Sequence, residues 1–316
     1  MTVRFLPILC ALASCVEFRL DPIEPDVDSA RLVVVTDRFV QAAKPQLDLL
    51  LVVDRTSSMS QEHEALVTAA DGITGALDAA DVSWQAGVVS LIGTGAEAGL
   101  LLGSPWILTP SDPPLSTHLA SVLSQPDLGR EEAGIAAALS ALDKSEAGGP
   151  NQGFRREGAS LHVVFVSDTD DESDDWLAGD PVTLLLEQLD TEALSGGTAQ
   201  VSAMVGDVPS GCVSTGGSAL AGTRYAEAAV ATSGAVSSIC LGDYAAVTAS
   251  LAEVKAVLQA SFALSQSPVD EQIYVQVDGQ PSPPTDWAVD TGALVFEVAP
   301  PGGSQIEVTY VVEVGG

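Results

Sequence analysis

The segment that most constrains the fold is a nearly continuous apolar run, Leu47–Val53, which is followed at once by the polar residues 54–58. A strand with apolar side chains at consecutive positions is typical of a sheet that is buried on both faces. Helical spacing follows, with apolar side chains on one face at Leu66, Ala69, Ala70, Ile73 and Leu77. The sequence therefore predicts a buried strand, a polar loop at its carboxyl end and an amphipathic helix.

Strand and helix patterns alternate as far as residue 265. Further strands are predicted at Trp84–Ile92 and a hairpin-linked Leu100–Leu108, and then at Leu161–Val166, Ala199–Val205 and 235–239. Helices are predicted around Ile135–Leu142, after the capping pair Asp180-Pro181, at 219–232, and at the apolar positions Val247, Leu251, Val254, Leu258 and Phe262. Over residues 45–265 this alternation predicts an α/β fold with a doubly wound, largely parallel sheet and helices on both faces.

The flanking segments have different patterns. After Ser265 the apolar period becomes two, and Asp278-Gly279 is a hairpin-turn signal, so residues 266–316 are predicted to form a small β module. Residues 15–44 contain prolines and several acids and are predicted to be a tether, with one edge strand at Leu32–Val35.

The amino terminus has the pattern of an export signal. Residues 1–14 combine one cation, Arg4, with an apolar run that is too short to span a membrane. The run ends in Leu12-Ala13-Ser14-Cys15, which resembles the lipobox of bacterial lipoproteins, and the resemblance implies cleavage before Cys15 and acylation of its thiol. Val16 is not the aspartate that retains such proteins in the inner membrane, so we expect an outer-membrane lipoprotein of a Gram-negative cell envelope. The alternative is an ordinary secretory signal with an incidental cysteine.

Export changes the cysteine count of the mature chain. Cys10 is lost with the signal peptide, Cys15 becomes the lipid anchor, and Cys212 and Cys240 remain. An even number of cysteines in an oxidising compartment indicates one disulfide, and the alternative is a pair of buried free thiols.

The charge balance limits the partners. The chain has 12 Lys and Arg against 43 Asp and Glu, a formal net charge of −31. Nucleic acid is excluded as a partner because a phosphate-binding surface needs clustered cations. Anionic lipid surfaces are disfavoured for the same reason, so we expect membrane contact through the lipid anchor only. Divalent cations, and partners presented through them, are favoured.

The polar loop after the first buried strand carries the motif with the clearest chemistry. In open α/β sheets ligands bind at the carboxyl ends of strands, where Asp54, Thr56 and Ser58 are expected. The segment LLLVVDRTSSM resembles the first strand and metal-ion-dependent adhesion site of von Willebrand factor type A (vWA) domains, whose motif is D-x-S-x-S. Thr56 keeps the hydroxyl of the first serine, and VVFVSDTDD places Asp168 where the family has its second carboxylate.

The resemblance implies a cofactor and a mode of binding. Thr56 and Ser58 would ligate Mg²⁺ (or Mn²⁺ or Ca²⁺) directly, and Asp54 and Asp168 would act largely through bound water. Such an ion keeps enough positive charge to take a carboxylate from a partner protein, which is cell-adhesion chemistry without turnover. The alternative for these residues is that they only cap the first helix.

One part of the family motif is missing. The family supplies a threonine before the third helix, whereas Gln125–Glu131 contains no hydroxyl there. Asp127 could replace it, although a third carboxylate would lower the positive charge left on the ion. Asp170, in the acidic run Asp168–Asp175, is a possible ligand of an accessory cation, and the alternative is that this run is a solvated acidic loop.

Three functions follow from these patterns. The first is a lipid-anchored protein that binds a partner protein through a divalent cation. The second is a metal-independent structural or scaffold subunit of an envelope complex, favoured by the missing threonine. The third, a metal-dependent hydrolase using the acids near Asp168, ranks last because no base or nucleophile is evident, and we expect no enzymatic activity.

Overall fold

The computed structural model describes residues 31–125, 132–194, 197–214, 217–241, 258–269 and 272–314. The helices in these ranges are α1 (Ser60–Ala79), α2 (Leu115–Leu123), α3 (Gly134–Asp143), α4 (Pro181–Leu194) and α5 (Thr223–Ala231). The strands are β1 (Arg31–Val40), β2 (Gln46–Val53), β3 (Ser83–Ser90), β4 (Ser160–Val166), β5 (Ala199–Val205), β6 (Cys212–Ser214), β7 (Gly217–Ala219), β8 (Val236–Ser238), β9 (Ser261–Ala263), β10 (Tyr274–Val277), β11 (Gln280–Pro281), β12 (Trp287–Asp290), β13 (Ala293–Phe296) and β14 (Gln305–Val314).

A five-stranded parallel sheet, in the order β3-β2-β4-β5-β8, forms the centre of the α/β part. The apolar run of β2 explains its burial on both faces. Leu47, Leu49 and Leu51 pack with α1 and α2 on one side, whereas Leu50 and Val52 pack with α3, α4 and α5 on the other. Burial of each such side chain contributes about 1.5–3 kcal/mol. The predicted parallel α/β sheet with helices on both faces is confirmed.

The segment Leu100–Leu108 is the clearest error among the predicted strands. It forms no strand: its backbone hydrogen bonds to β3 are those of a single bridge between Ala86 and Leu108 and one from the Leu102 amide to the Val88 carbonyl (2.8 Å). Gly103 and Pro105 interrupt it, and a proline cannot donate to a strand ladder. The predicted hairpin with β3 is therefore wrong.

The helix predictions differ from the structure at the carboxyl end of the α/β part. The helix predicted at 219–232 begins only at Thr223, because Ala219 belongs to β7 and residues 220–222 connect that strand to the helix. Of the last predicted helix, Val247, Leu251 and Val254 lie outside the described ranges, and Phe262 is in β9, not in a helix. The Asp180 cap is confirmed, since its Oδ1 accepts the Thr183 amide at 2.8 Å. No helix in the described ranges is long and apolar enough to cross a membrane.

The β module contains two antiparallel sheets, in the orders β1-β14-β10-β11 and β12-β13-β9, which share one apolar core. The predicted turn at Asp278-Gly279 is present, and both residues have the positive φ that a tight hairpin requires (53° and 73°). The module also takes up segments outside residues 266–316. Residues 31–40 pair with β14 along their whole length, and Phe262 lies in the core of the module.

Candidate metal centre

The loops after β2 and β4 meet at the carboxyl edge of the parallel sheet. The two strands are neighbours, with Val53 opposite Val166, and the Asp54 amide donates to the Val166 carbonyl at 2.9 Å. Parallel neighbouring strands end at the same edge of the sheet, so the predicted ligands Asp54 and Asp168 lie close together. Asp54 is also hydrogen-bonded to Ser167, which is 113 residues away in the sequence.

The loop after β2 holds its hydroxyl groups together. The Asp54 carboxylate accepts the Thr56 amide at 2.8 Å, and the Thr56 and Ser58 hydroxyl oxygens are 2.9 Å apart. Neither α1 nor the short 3-10 turn before it has a side-chain cap. This observation speaks against the alternative that these residues only cap the helix. His63, on the first turns of α1, lies 2.7 Å from the Asp54 carbonyl oxygen through its Nε2 and fixes the loop against the helix.

Asp168 carries the observation that most favours a cation. It is only 5% exposed, and its Oδ1 is buried with no hydrogen-bond partner. Burial raises the pKa of Asp168 to about 6; a hydrogen bond from Ser58 opposes this, while the neighbouring charges of Asp54 and Glu62 add to it. Burial and neighbouring carboxylates disfavour the ionised form of such a carboxyl, and a bound divalent cation would stabilise that form.

Ser167 and Glu132 complete the surroundings of Asp54. The Ser167 hydroxyl donates to Asp54 Oδ2 at 3.0 Å, so both carboxylate oxygens of Asp54 accept a hydrogen bond. Glu132 comes just before α3, one residue beyond the segment in which the sequence lacked the family's threonine. Burial raises the pKa of Glu132, opposed by a hydrogen bond with Thr169 and assisted by the charges of Asp54 and Glu172.

Sequence reasoning missed Glu132. Its only signal was its position in front of a helix that follows the motif. The position is fixed from both sides, because the Glu172 amide donates to the Glu132 carbonyl (2.7 Å) and the Ala133 amide donates to the Leu91 carbonyl (3.1 Å).

Asp170 and Asp171 of the acidic run accept hydrogen bonds from backbone amides. Asp170 Oδ1 accepts the backbone amides of Asp171 (3.0 Å) and Arg224 (2.9 Å), which connects this loop to α5. Asp171 Oδ1 accepts the Ile135 amide at the start of α3 (2.9 Å). The possible ligand Asp127 lies outside the described residues.

The donor set fits a cation that accepts hydroxyl ligands. Within the described ranges no three His, Cys, Asp or Glu side chains converge closely enough to hold a metal ion by themselves. The ion would therefore need Thr56 and Ser58 in addition to the carboxylates. Mg²⁺ takes oxygen ligands and retains several waters, which suits two hydroxyls with carboxylates acting through water.

A disulfide lies beside the carboxyl edge of the parallel sheet. Cys212 and Cys240 are bonded (S–S 2.06 Å), which confirms the predicted pairing and excludes the two free thiols. The bond connects the β6–β7 hairpin to the turn after β8. The same hairpin leads to Leu220, whose amide donates to the Asp168 carbonyl at 2.8 Å. The predicted lipid anchor, Cys15, lies outside the described residues.

Neither a known family model nor a curated protein sequence matches the chain. Similar solved structures include two of the pilus adhesin SpaC from Lactobacillus rhamnosus GG, at 15% identity and TM-scores of 0.41 and 0.40, which cover 93% of this chain and 44% and 43% of theirs. Another is proximal thread matrix protein 1 from the mussel byssus, at 14% identity and a TM-score of 0.41, covering 68% of this chain and 48% of that one. The chain spans less than half the length of each, and likenesses this weak assign it to no family.

Proposed function

We propose that this chain is a vWA-like lipoprotein of the outer membrane of a Gram-negative cell envelope, and that it binds a partner protein through a divalent cation. The observation that carries the proposal is the buried Oδ1 of Asp168, which has no hydrogen-bond partner and lies beside Asp54 and the Thr56 and Ser58 hydroxyls. These four residues would hold Mg²⁺, or Mn²⁺ or Ca²⁺ in its place.

Each group has a separate role in this proposal. Thr56 and Ser58 are neutral ligands, which leave most of the positive charge on the ion. Asp54 is held by the Thr56 amide and the Ser167 hydroxyl, and it orients bound water instead of neutralising the ion directly. The exposed side of the ion would then accept a carboxylate of the partner, so the activity is binding and no substrate is turned over.

The compartment is part of the same proposal and is supported by two features. The lipobox-like segment ends at Cys15, and the disulfide between Cys212 and Cys240 is suited to an oxidising compartment outside the cytoplasm. Lipid on Cys15 would be the protein's contact with the membrane, and acyl mass on the mature amino terminus is the measurement that tests it.

Thermal unfolding with and without cation tests the metal centre. At about 100 times Kd, binding adds about 2.7 kcal/mol to the stability of the native state, which raises Tm by several degrees in a domain of this size. We expect Mg²⁺ or Mn²⁺ to raise Tm relative to EDTA in the wild type, and Asp54→Ala and Asp168→Asn to abolish the rise.

Asp174→Asn is the charge-matched control. Asp174 belongs to the same acidic run but pairs with Arg224 at 2.6 Å and is exposed. It should keep the full cation response. A wild type whose Tm is the same in cation and in EDTA would refute the metal centre.

A metal-independent scaffold is the second candidate, and two observations favour it. Both oxygens of Asp54 are already hydrogen-bonded within the protein, and Glu132 stands near the place of the family's neutral threonine. This candidate predicts that a complex with the partner survives chelation, so a pull-down with and without EDTA separates the two functions.

A further inference from the structure

The β1 strand (Arg31–Val40) has one edge that no strand covers among the described residues. It is ten residues long and lies at the end of the sheet β1-β14-β10-β11. Natural proteins usually protect such an edge with charged side chains, prolines, bulges or short strands, because its free backbone groups can pair with another chain. β1 contains no proline, and its pairing with β14 is regular over all ten positions. The charge of Arg38 on this strand is already paired with Glu307 of β14 at 2.8 Å.

The register identifies which backbone groups face the free edge. The Gln41 amide donates to the Ser304 carbonyl at 2.9 Å, so residue 41 turns its hydrogen-bonding groups toward the strand that pairs with β1. In an antiparallel pair these groups alternate, so the odd-numbered residues of β1 bond to β14 and the even-numbered ones point away from it. On β14, the carbonyls of Gln305 and Val311 accept amides of Asp278 and Val269 on the side away from β1, as this alternation requires.

The residues with edge-facing backbone groups also have outward-facing side chains. They are Leu32, Val34, Thr36, Arg38 and Val40, and all five are exposed. Three are aliphatic, with exposed fractions of 64% for Leu32, 66% for Val34 and 73% for Val40. The other face of β1, with Val33, Val35 and Phe39, packs on the core of the module.

We propose that the β1 edge is a self-association surface, on which a second copy of this chain adds its own β1 antiparallel about a twofold axis at Thr36. In that register position 32 lies opposite 40, 34 opposite 38, and 36 opposite itself. All five edge-facing residues of each copy are then paired, whereas a shift of the axis by one residue pairs only four. The two four-stranded sheets become one continuous sheet of eight strands.

The side chains of this register are compatible with each other. Leu32 of one copy lies beside Val40 of the other, which covers two exposed aliphatic side chains at each end of the contact. Val34 lies opposite Arg38, so no like charges are directly opposed on the outer face. Asp37 is on the inner face, where the Tyr310 hydroxyl (2.7 Å) and the Ser265 hydroxyl (2.7 Å) already donate to its carboxylate.

The expected dimer is weak, since two edge strands about 33 Å long bury less than the roughly 800 Å² per partner of a standard interface. The net charge of −31 on each copy also opposes association, so salt should strengthen it. On a membrane, lipid anchoring would raise the local concentration enough to populate a weak dimer.

Sedimentation velocity on the full chain carrying Cys15→Ser tests the proposal, from about 5 to about 500 µM, the range of affinity expected for small interfaces. We expect a reversible monomer–dimer equilibrium that shifts toward the dimer at high salt. A chain that remains monomeric over the whole range, in low and high salt, overturns the proposal, and so does an edge that binds only extended peptides of other sequence.

Two pairs of variants test the register. Val34→Lys places a lysine opposite Arg38 twice in each dimer, and Val34→Glu places a glutamate there. Unspecific charge repulsion predicts that the lysine helps and the glutamate harms association, because the protein is acidic. The register predicts the reverse, with Val34→Lys weakening dimerisation about tenfold and Val34→Glu preserving it.

The second pair changes the backbone at the twofold axis. Thr36→Pro removes an amide that the fold itself does not use, and Thr36→Ala keeps that amide while losing the same hydroxyl contact with Thr309. We expect Thr36→Pro to abolish the dimer and Thr36→Ala to retain it, with thermal melts that establish folding of both. Dimerisation of Thr36→Pro and Val34→Lys at the wild-type affinity would overturn the register.

Discussion

Acid should destabilise this protein through one buried imidazole, His162 in β4. The side chain is completely buried; its Nε2 lies 2.9 Å from the Ser202 hydroxyl of β5, and its Nδ1 has no hydrogen-bond partner. Burial lowers the pKa of His162 from 6.5 to about 3. The native state therefore keeps His162 neutral at pH values at which the unfolded chain already binds a proton.

The sign and the size of the effect follow from proton linkage. Because the pKa of His162 is lowered in the native state, its contribution to stability is complete above pH 6.5 and is lost as the pH falls from 6.5 toward 3. The loss is about 1.4 kcal/mol for each pH unit in this window. Between pH 7.5 and pH 5 it amounts to about 2 kcal/mol of the free energy of unfolding.

Urea unfolding of the wild type and of His162→Gln at these two pH values measures the effect. Glutamine can still hydrogen-bond to Ser202 but does not titrate, and the pH responses of all other groups, including the opposite response of Asp168, cancel in the comparison. We expect the wild type to lose about 2 kcal/mol more than the variant between pH 7.5 and pH 5. Equal losses in the two proteins would refute the linkage.

Three further substitutions have effects that the structure sets. The buried carboxylate of Asp48 forms ion pairs with Arg155 and Arg156, and Asp48→Asn replaces it with a neutral amide. Urea unfolding at pH 7 should show that the free energy of unfolding falls by about 3–5 kcal/mol. The Cys212–Cys240 disulfide joins cysteines 28 residues apart, and its reduction should lower the free energy of unfolding by about 3.6 kcal/mol in the chain-entropy model. A Cys212→Ser, Cys240→Ser double variant should show the same loss, and reductant should not change its stability further. Tyr225→Phe removes the buried hydroxyl, 3.2 Å away, that accepts the Gly134 amide, and should cost about 1–3 kcal/mol by the same assay, whereas an unchanged stability would mean that the amide finds another acceptor.

The sequence predicted those parts of the fold that local patterns determine. The apolar run Leu47–Val53 indicated burial on both faces, and β2 contributes side chains to both apolar layers. The pairing of β1 with β14 was beyond local patterns, because it joins Arg31 to Val314 across nearly the whole chain. Phe262 was misplaced because a short apolar segment fits a helical face as well as a strand.

The candidate metal centre was predictable for a similar reason. Asp54 and Asp168 each follow a buried strand, so their position at the carboxyl edge follows from the parallel sheet alone. Their closeness depends on the strand order, which local periodicity could not give. The vWA resemblance predicted the closeness only by placing both residues in one site. Glu132 does not follow a predicted strand and is not part of a motif. Its position near Asp54 depends on two backbone hydrogen bonds that only the folded chain reveals.

The β module and the candidate metal centre lie at opposite ends of the parallel sheet. Gln41, at the end of β1, donates to the Gln259 carbonyl (2.8 Å), and the Gln259 side chain lies against Gly158, just before β4 begins. The module therefore contacts the amino ends of the strands, whereas Asp54 and Asp168 follow their carboxyl ends, about 26 Å away along the eight residues of β2. The proposed self-association at the β1 edge and the proposed partner binding at the cation therefore do not compete for the same surface.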